Sequence, residues 1–354
     1  MTRRAALASG VAVAGVAAAG PSGAAGRFAV PAEEARHLRT FMQWPVSRAV
    51  YDDPVFLRMT QDTIAQIANT INAFEPVVML ADVAYHPDIQ RKVSADVEIW
   101  DIATDDLWCR DAGPLFVNDG AGAQAIRHLN FNGWGGKQSH RNDGRIAAKI
   151  AARLGLDLLD NGLVGEAGGV DQDGHGVLIA HESSWINPNR NPQNKAMITA
   201  LLNAAFGTDR VIWAPGIAGQ DITDYHIDSL ARFTGPGRVL IQMPGAVDDR
   251  DPWSRAAQET FDILRADPAL SVDVITEPRR PRVRHADFVA SYANYYVCNG
   301  AVICAAFGDE DADAAAMAAL ARHYPGREII ALNVDPLGEL GGGIHCATQQ
   351  QPLP

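Results

Sequence analysis

The chain of 354 residues carries 42 Asp and Glu against 30 Lys and Arg, a formal net charge of −12, and 47% of its residues are hydrophobic. This composition indicates a globular protein with a substantial core and excludes an intrinsically disordered chain. The acidic balance and the lack of a long basic run argue against nucleic acid or an anionic membrane surface as the main partner, and they favour a cationic small molecule.

The first 26 residues have the layout of an export signal. Arg3 and Arg4 precede an apolar run of Ala, Val, Gly and Leu, and small residues follow at Gly23 to Gly26. Paired arginines before such a run are typical of a twin-arginine signal, which exports folded proteins from a bacterial cytoplasm to the periplasm or beyond. The alternatives are a disordered extension or a misassigned start codon, which would leave the protein cytoplasmic. A membrane span is disfavoured because the run is short and rich in glycine.

Helical and β-rich segments alternate through the rest of the chain, residues 27–354, which we predict to be a single domain. Periodicity predicts helices that begin near Pro54, Gly144, Gln193, Trp253 and Ala312. Short β-rich runs predict strands that begin near Pro76, Val97, Ala125, Gly176, Arg210, Arg238, Val272, Ala301 and Glu328. The alternation predicts an α/β fold of five similar strand–helix units. A Rossmann fold is disfavoured because no G-x-G-x-x-G lies between a strand and a helix.

Two loop segments carry more functional groups than a turn requires. DLWCRDAGP, residues 106–114, contains Arg110 and Asp111, which taken alone are more often a surface ion pair than a site. GEAGGVDQDGHG, residues 165–176, begins with Glu166 in a glycine-rich turn and ends in hairpin residues. Glu166 by itself would be interpreted as a solvated turn residue.

A third segment, DITDYHIDSLARF at residues 221–233, contains an imidazole and a carboxylate two residues apart. In an extended segment this alternation places His226 and Asp228 on one face, where both can line the same pocket. A hydrogen-bonded structural pair is an equally good interpretation.

The segment GGGIHCATQQ, residues 341–350, contains one of four cysteines, Cys346. The polar, glycine-rich surroundings indicate a backbone-exposing loop and disfavour a core cysteine. No spacing singles out a disulfide partner, and a zinc site would need more ligands than the adjacent His345, whose side chain should diverge. A nucleophile would need a base and an orienting group, which His226 and the acidic residues can supply. The spacing favours the nucleophile without excluding the other roles.

Seven segments, taken together and in order, resemble the agmatine deiminase family, which also includes the bacterial type of peptidylarginine deiminase. They are PAEEARHLRTFMQWP from Pro31, WCRDAGPLFV from Trp108, NFNGWGGK from Asn130, INPNRNP from Ile186, HIDSLARF from His226, SYANYYVCNGAVI from Ser291 and GGGIHCATQQQP from Gly341. The resemblance runs from about residue 27 to the C terminus. It implies a deiminase catalytic domain with the pentein fold, an α/β propeller of five ββαβ-like units around a central active-site channel. Members of the family are often dimers.

The resemblance also implies roles for five residues. Cys346 corresponds to the nucleophile, His226 to the general acid and base, and Glu166 to the glutamate paired with that histidine. Asp111 and Asp228 correspond to the carboxylates that grip the guanidinium group. The implied reaction is hydrolysis through a covalent amidino-thioether, with no metal or organic cofactor. Around such a thiol, three carboxylates should raise the thiol pKa until a guanidinium binds, unless His226 is cationic nearby.

The sequence departs from the family pattern at two positions, which leaves the substrate open. Ala167 and Tyr225 stand where the family usually has glycine, and the Tyr225 ring is expected to narrow the channel or stack on the substrate stem. Trp108, Asp221 and Asp224 lie near the motifs and suit the ammonium group of agmatine. We expect agmatine as substrate and peptidyl-arginine as the alternative. A cysteine peptidase and a non-catalytic binding protein for guanidino solutes are remoter hypotheses.

Overall fold

The computed structural model describes residues 27–285 and 287–354. The predicted export signal over residues 1–26 lies outside this part of the chain. Among the described residues, no helix is both long enough and apolar enough to cross a membrane.

All five predicted helices are present, and capping residues explain where they begin. The Asp53 side chain accepts a hydrogen bond from Val55 N at 2.7 Å, and Pro54 occupies the first turn. Asp251 and Pro252 begin the fourth helix in the same way. The helices are α1 (Pro54–Asn72), α2 (Ile146–Leu154), α3 (Lys195–Phe206), α4 (Pro252–Ala266) and α5 (Glu310–His323).

Short helices and turns connect the longer elements. Four-residue or five-residue helices span His86–Gln90, Cys109–Ala112, Glu182–Trp185 and Asp335–Glu339. Single 3-10 turns span Val83–Tyr85, Asp143–Arg145, Ala167–Gly169 and Ile227–Ser229. In the further turn Gly133–Gly136, Trp134 has a left-handed backbone with φ 55°.

Sixteen strands are found in the described residues, nine of them predicted. In chain order they are β1 (His37–Gln43), β2 (Val77–Ala81), β3 (Glu98–Asp101), β4 (Leu115–Asn118), β5 (Gln124–His128), β6 (Leu158–Asp160), β7 (Val170–Gln172), β8 (Val177–His181), β9 (Arg210–Ala214), β10 (Ala231–Gly235), β11 (Arg238–Met243), β12 (Ser271–Thr276), β13 (Tyr296–Cys298), β14 (Ala301–Ala305), β15 (Glu328–Leu332) and β16 (Thr348–Pro352). The sequence did not predict β1, β4, β6, β7, β10, β13 and β16. Most of these are too short to show a period, and β16 reads TQQQP.

The strands form five sheets with one repeated topology. In β4-β5-β6, β7-β8-β9, β10-β11-β12 and β13-β14-β15, the first two strands are antiparallel and the third is parallel to the second. A long helix connects the second and third strands of each sheet. The remaining sheet has the order β16-β1-β2-β3, in which β16 pairs antiparallel with β1 and α1 leads from β1 to the parallel β2. The C-terminal strand therefore completes the N-terminal unit, and the predicted α/β class with five ββαβ units is confirmed.

The core lies between the helices and the sheets. On α1, the inner face carries Ile64, Ile67, Ala68 and Ile71, whose spacing of three and four residues places them in one stripe without solvent exposure. They pack in one cluster with β2, of which every residue is buried. Burial of each such isoleucine contributes roughly 1.5–3 kcal/mol. This packing holds the strand ends, and thus the loops before them, in place.

Candidate active site

A residue with a functional side chain lies two to four positions before the first strand of each unit. Asp111 precedes β4, Glu166 precedes β7, Asp228 precedes β10, Asn294 precedes β13 and Cys346 precedes β16. All five side chains are buried. The repeated topology thus brings one functional group from each unit toward a common site, including four of the five residues to which the family resemblance assigns roles.

The Cys346 sulfur is held by an amide and faces a carboxylate. Nδ2 of Asn294 donates to Sγ at 3.0 Å, and the backbone N of Cys346 donates to Oδ1 of Asn294 at 3.3 Å. Sγ lies 3.4 Å from Oδ2 of Asp228. Cys346 is 7% exposed and Asp228 is 0% exposed. The prediction of a backbone-exposing loop around Cys346 is wrong, because the buried strand β16 follows directly.

The thiol is surrounded by groups that disfavour its ionisation. Burial, together with the negative charges of Asp228 and Asp111, raises the pKa of the Cys346 thiol well above its ordinary value. This is the direction expected for a thiol lined by carboxylates. A cation bound between the two aspartates would oppose their effect and stabilise the thiolate.

Cationic alkylating reagents are therefore expected to modify Cys346 faster than neutral ones. We expect 2-chloroacetamidine to exceed 2-chloroacetamide by about tenfold or more after normalisation to free cysteine, because each unit by which the thiol pKa falls multiplies the thiolate fraction tenfold. Peptide mass spectrometry at pH 7 measures both rates and locates the adduct. The other three cysteines are fully buried and serve as internal controls. Equal normalised rates at Cys346 would contradict the expectation.

His226 is held between two carboxylates. Its Nε2 lies 3.2 Å from Oε2 of Glu166, and its Nδ1 lies 3.7 Å from Oδ1 of Asp111. Burial by itself lowers the pKa of His226, but Asp111 and Glu166 outweigh that effect and raise the pKa to about 9. The imidazole is therefore protonated at neutral pH and can donate a proton. Glu166 is in turn fixed by Arg190, whose Nε lies 2.9 Å from each of its oxygens.

Two hydrogen-bond donors hold the carboxylate of Asp111 in place. Nε1 of Trp134 donates to Oδ2 at 2.9 Å, and the backbone N of Gly168 donates to Oδ1 at 3.3 Å. Burial, reinforced by the charges of Glu166 and Asp228, raises the pKa of Asp111 to about 6 despite the opposing effect of His226. The Asp111 carboxyl is thus mostly ionised at neutral pH, and it takes up a proton as the pH falls through about 6.

Glycine is needed at position 168 but not at position 167, where this chain has alanine. A Cβ atom at position 168 would lie 2.8 Å from Oδ1 of Asp111, 2.8 Å from Nδ1 of His226 and 3.1 Å from Oδ2 of Asp228. Ala167 lies in the 3-10 turn Ala167–Gly169 and needs no positive φ. At position 168 the requirement for glycine is therefore one of space, and the three side chains converge there.

The geometry of the segment around Asp228 differs from the prediction. His226 is extended, with φ −67° and ψ 140°, but Asp228 lies in the 3-10 turn Ile227–Ser229. Strand alternation is therefore the wrong reason for their proximity, which results instead from the turn. Oδ2 of Asp228 lies 2.7 Å from Nδ1 of His345. Burial favours the protonated carboxyl, but His345, together with the charges of His226 and Arg232, outweighs it and lowers the pKa of Asp228 to about 2.

The structure contradicts the predicted substrate contact of Asp224. Its carboxylate accepts hydrogen bonds from Nζ of Lys137 at 2.7 Å, Nη1 of Arg190 at 2.8 Å and the backbone N of Gly219 at 2.8 Å. Burial raises the pKa of Asp224, but the hydrogen bonds from Lys137 and Arg190 outweigh it and lower that pKa. Two cations already neutralise this carboxylate, so Asp224 anchors its loop and is not free to receive a substrate ammonium group.

The Tyr225 ring departs from the position predicted for it, and the Trp108 ring lies beside the segment that contains Cys346. The Tyr225 ring stacks on His181 with centroids 4.6 Å apart and meets Trp253 at 4.9 Å, so it packs between the end of β8 and the first turn of α4. Its backbone has φ 70°, in the region that favours the usual glycine. The Trp108 ring lies against Gly342, a residue whose added Cβ would also reach Cβ of Cys346 at 3.5 Å. Asp221 accepts from the backbone N of Tyr225 at 3.1 Å.

Several residues that contact the site were not predicted individually. Each lies in one of the seven segments that carry the family resemblance, and the polar residues of those segments were the available signal. They are Glu33, Trp134, Arg190, Asn294 and His345. Over the described ranges, no group of three or more His, Cys, Asp or Glu side chains is arranged to hold a metal ion. The arrangement can bind a planar cation between Asp111 and Asp228 and present it to a thiol and an imidazolium.

Three comparisons with known proteins bear on the family and the fold of the chain. The sequence model of the Porphyromonas-type peptidyl-arginine deiminase family matches residues 29–352. A candidate agmatine deiminase of Streptomyces coelicolor is 34% identical over 92% of this chain and 99% of its own, and the agmatine deiminase of Pseudomonas putida is 31% identical over 92% and 96%. The solved agmatine deiminase of Enterococcus faecalis, 24% identical over 92% and 96% of the two chains, has a TM-score of 0.83 and shares the fold.

Proposed function

The chain belongs to the Porphyromonas-type peptidyl-arginine deiminase family, and from that premise we propose that it hydrolyses agmatine to N-carbamoylputrescine and ammonia. Membership makes it a hydrolase of carbon–nitrogen bonds in guanidino compounds. The observation that carries the proposal is the convergence of Asp111, Glu166, Asp228 and Cys346 from four units, with His226 between two of the carboxylates.

Binding of the guanidinium follows from the charges of the site. The group is planar, remains protonated at neutral pH and offers paired N–H donors, so Asp111 and Asp228 can each accept from a different edge. Such binding places the guanidinium carbon next to the Cys346 sulfur. The two groups then react within one complex, in a fixed orientation, and no longer need to meet by diffusion. The bound cation also favours the thiolate over the thiol.

The chemistry then divides into two steps. The Cys346 thiolate adds to the guanidinium carbon, and the tetrahedral adduct expels one nitrogen as ammonia after His226 donates its proton to it. The remaining amidino-thioether is attacked by water, from which the now neutral His226 removes a proton. Collapse of the second adduct breaks the carbon–sulfur bond, releasing the ureido product and the thiol. Glu166 favours the protonated form of His226 for the first step.

The choice of agmatine rests on the relatives and on the shape of the site. The two relatives named above carry the name agmatine deiminase, and the five convergent side chains are buried, which favours a slender substrate stem. Peptidyl-arginine is the second candidate because the matching family model carries that name. The neutralised Asp224 supplies no preference for an ammonium group, so the distal end of the substrate must be recognised by other residues.

A colorimetric assay for ureido products tests the proposal directly. We expect kcat/KM for agmatine to exceed that for free arginine and for an acetylated arginine peptide by about 100-fold, which is about 2.7 kcal/mol of transition-state discrimination. A peptide preferred over agmatine would support the second candidate. Ligand binding without any ureido product would indicate a non-catalytic binding protein, and casein cleavage without it would indicate a peptidase.

A further inference from the structure

His345 contacts two carboxylates at once. Its Nδ1 lies 2.7 Å from Oδ2 of Asp228, and its Nε2 lies 2.8 Å from Oε2 of Glu33. An ionised carboxylate only accepts hydrogen bonds, so both ring nitrogens must carry a proton for both contacts to be favourable. An imidazole with two N–H groups is an imidazolium ion. The geometry therefore assigns a positive charge to His345.

Glu33 is held in its ionised form from the opposite side. Nη2 of Arg232 donates to Oε2 at 2.8 Å, the backbone N of Val297 donates to Oε1 at 2.9 Å, and Nη2 of Arg110 lies 3.5 Å from Oε2. Burial alone would raise the pKa of Glu33, but Arg232 and His345 outweigh it and hold the pKa well below the ordinary value. Glu33 thus requires a donor, and not an acceptor, at Nε2 of His345.

Asp228 shares one oxygen between the imidazole and the thiol. Its Oδ2 lies 2.7 Å from Nδ1 of His345 and 3.4 Å from the Cys346 sulfur. Asp228 is fully buried, and a buried carboxylate without a cationic partner takes up a proton. A protonated Asp228 would offer a donor where the guanidinium needs an acceptor.

Asp111 provides a comparison within the same site. It is also buried, but its nearest imidazole is 3.7 Å away, at Nδ1 of His226, and burial raises its pKa to about 6. Asp228 has an imidazole at hydrogen-bonding distance, and although burial acts against it, its pKa is lowered to about 2, chiefly by His345. The pKa values of Asp111 and Asp228 therefore differ chiefly because only Asp228 has a histidine, His345, at hydrogen-bonding distance.

We propose that His345 is a positioning residue, which as an imidazolium holds Oδ2 of Asp228 beside the Cys346 sulfur and keeps that carboxylate ionised to receive the guanidinium. This inference rests on the proposed guanidino hydrolysis and extends it to a residue that contacts no reacting atom. The charged and titratable groups that face the pair are Glu33 from the N-terminal segment, Arg110 and Asp111 from the helix Cys109–Ala112, His226, Arg232 from β10, and Cys346. Asp171 from β7 is hydrogen-bonded to Arg232, and its pKa is raised to about 7 by burial.

The substitution His345→Asn separates charge from hydrogen bonding. Nδ2 of asparagine replaces Nδ1 of the imidazole and can still donate to Asp228, but it carries no charge. Of the two carboxylates that would hold the guanidinium in the natural protein, only Asp111 should titrate near pH 6, so log kcat/KM should fall with a slope of one on the acid side. In the variant, Asp228 should titrate in the same range and the slope should become two. One pH unit below the midpoint, activity would then fall about 100-fold from its plateau instead of about tenfold.

His323→Asn is the matched control. His323 is also buried and hydrogen-bonded, with Nδ1 3.0 Å from Oγ1 of Thr234 and Nε2 3.3 Å from Oδ2 of Asp273, but it lies at the end of α5, away from the cysteine. Its replacement should leave the slope at one. A slope of one in a folded His345→Asn protein would overturn the proposal.

Histidine ¹⁵N NMR tests the charge without any turnover. In the natural protein, with resonances assigned through the bonds to Ile344 and Cys346, both ring nitrogens of His345 should carry a proton at neutral pH. A neutral imidazole under those conditions would overturn the proposal, even where the variant fails to fold. A charged His345 in a protein that hydrolyses no guanidino compound would refute the proposed function while leaving the charge assignment standing.

Discussion

Replacement of Cys346 by alanine is expected to reduce kcat for ureido formation by more than about 10⁴-fold, which corresponds to about 5.5 kcal/mol. The sulfur is the nucleophile in the proposed mechanism, and its methyl replacement leaves no group that can form the amidino-thioether. Substrate affinity should survive, because Asp111 and Asp228 remain in place to bind the guanidinium. Calorimetric titration of the variant with agmatine should therefore give a measurable Kd although turnover is lost.

Cys304→Ala provides the matched control for this experiment. Cys304 is fully buried in β14, outside the site, so its replacement removes a sulfur from the core without touching the proposed chemistry. Activity of that variant should remain within about twofold of the natural protein because core effects on stability need not alter the site. Turnover by Cys346→Ala at more than a hundredth of the natural rate would show that the thiol is not the nucleophile.

Replacement of His226 by asparagine is expected to lower kcat/KM by about 10²–10⁴-fold, the usual range for loss of a general acid or base. The pH profile should change as well. The pKa of His226 is raised to about 9, so the competent imidazolium is present below that pH and is lost as the pH rises through it. The natural protein should therefore lose activity above about pH 9, and the variant should lack this alkaline limb.

The alkaline limb of the pH profile distinguishes a general acid at His226 from a histidine that is only structural. His323→Asn removes a buried histidine elsewhere and should retain the limb near pH 9. Rates are best measured with agmatine far below KM, since kcat/KM reports the groups of the free enzyme. An unchanged alkaline limb in His226→Asn would mean that another group supplies the proton to the departing ammonia.

The helices and most central strands were predictable because their signals are local. The stripe of Ile64, Ile67, Ala68 and Ile71 has helical spacing, and Asp53 with Pro54 marks where that helix begins. The strand β16 was not predictable in this way. Its residues are Thr, Gln and Pro, and they form a buried strand because β1 lies antiparallel beside them, more than 300 residues earlier in the chain.

The expectations for Asp224 and Tyr225 failed for a related reason. Their position beside the motif of His226 is evident in the sequence, but the direction of a side chain depends on its neighbours in space. Arg190 and Lys137, which come from distant segments, bind the Asp224 carboxylate, and His181 packs against the Tyr225 ring. Nearness to a motif along the chain is therefore a weak guide to substrate contact.

The sequence by itself determined the chemical identities of the groups, the order of the motifs and the number of repeated units, because these depend on residue types and on local periodicity. The tertiary structure decided which groups share a space and in what state of ionisation. Asp228 and Cys346 are separated by 118 positions yet lie 3.4 Å apart, and the pKa of His226 is set by carboxylates from two other units. Electrostatic interactions depend on distance in space and on burial, which no local pattern of residues specifies.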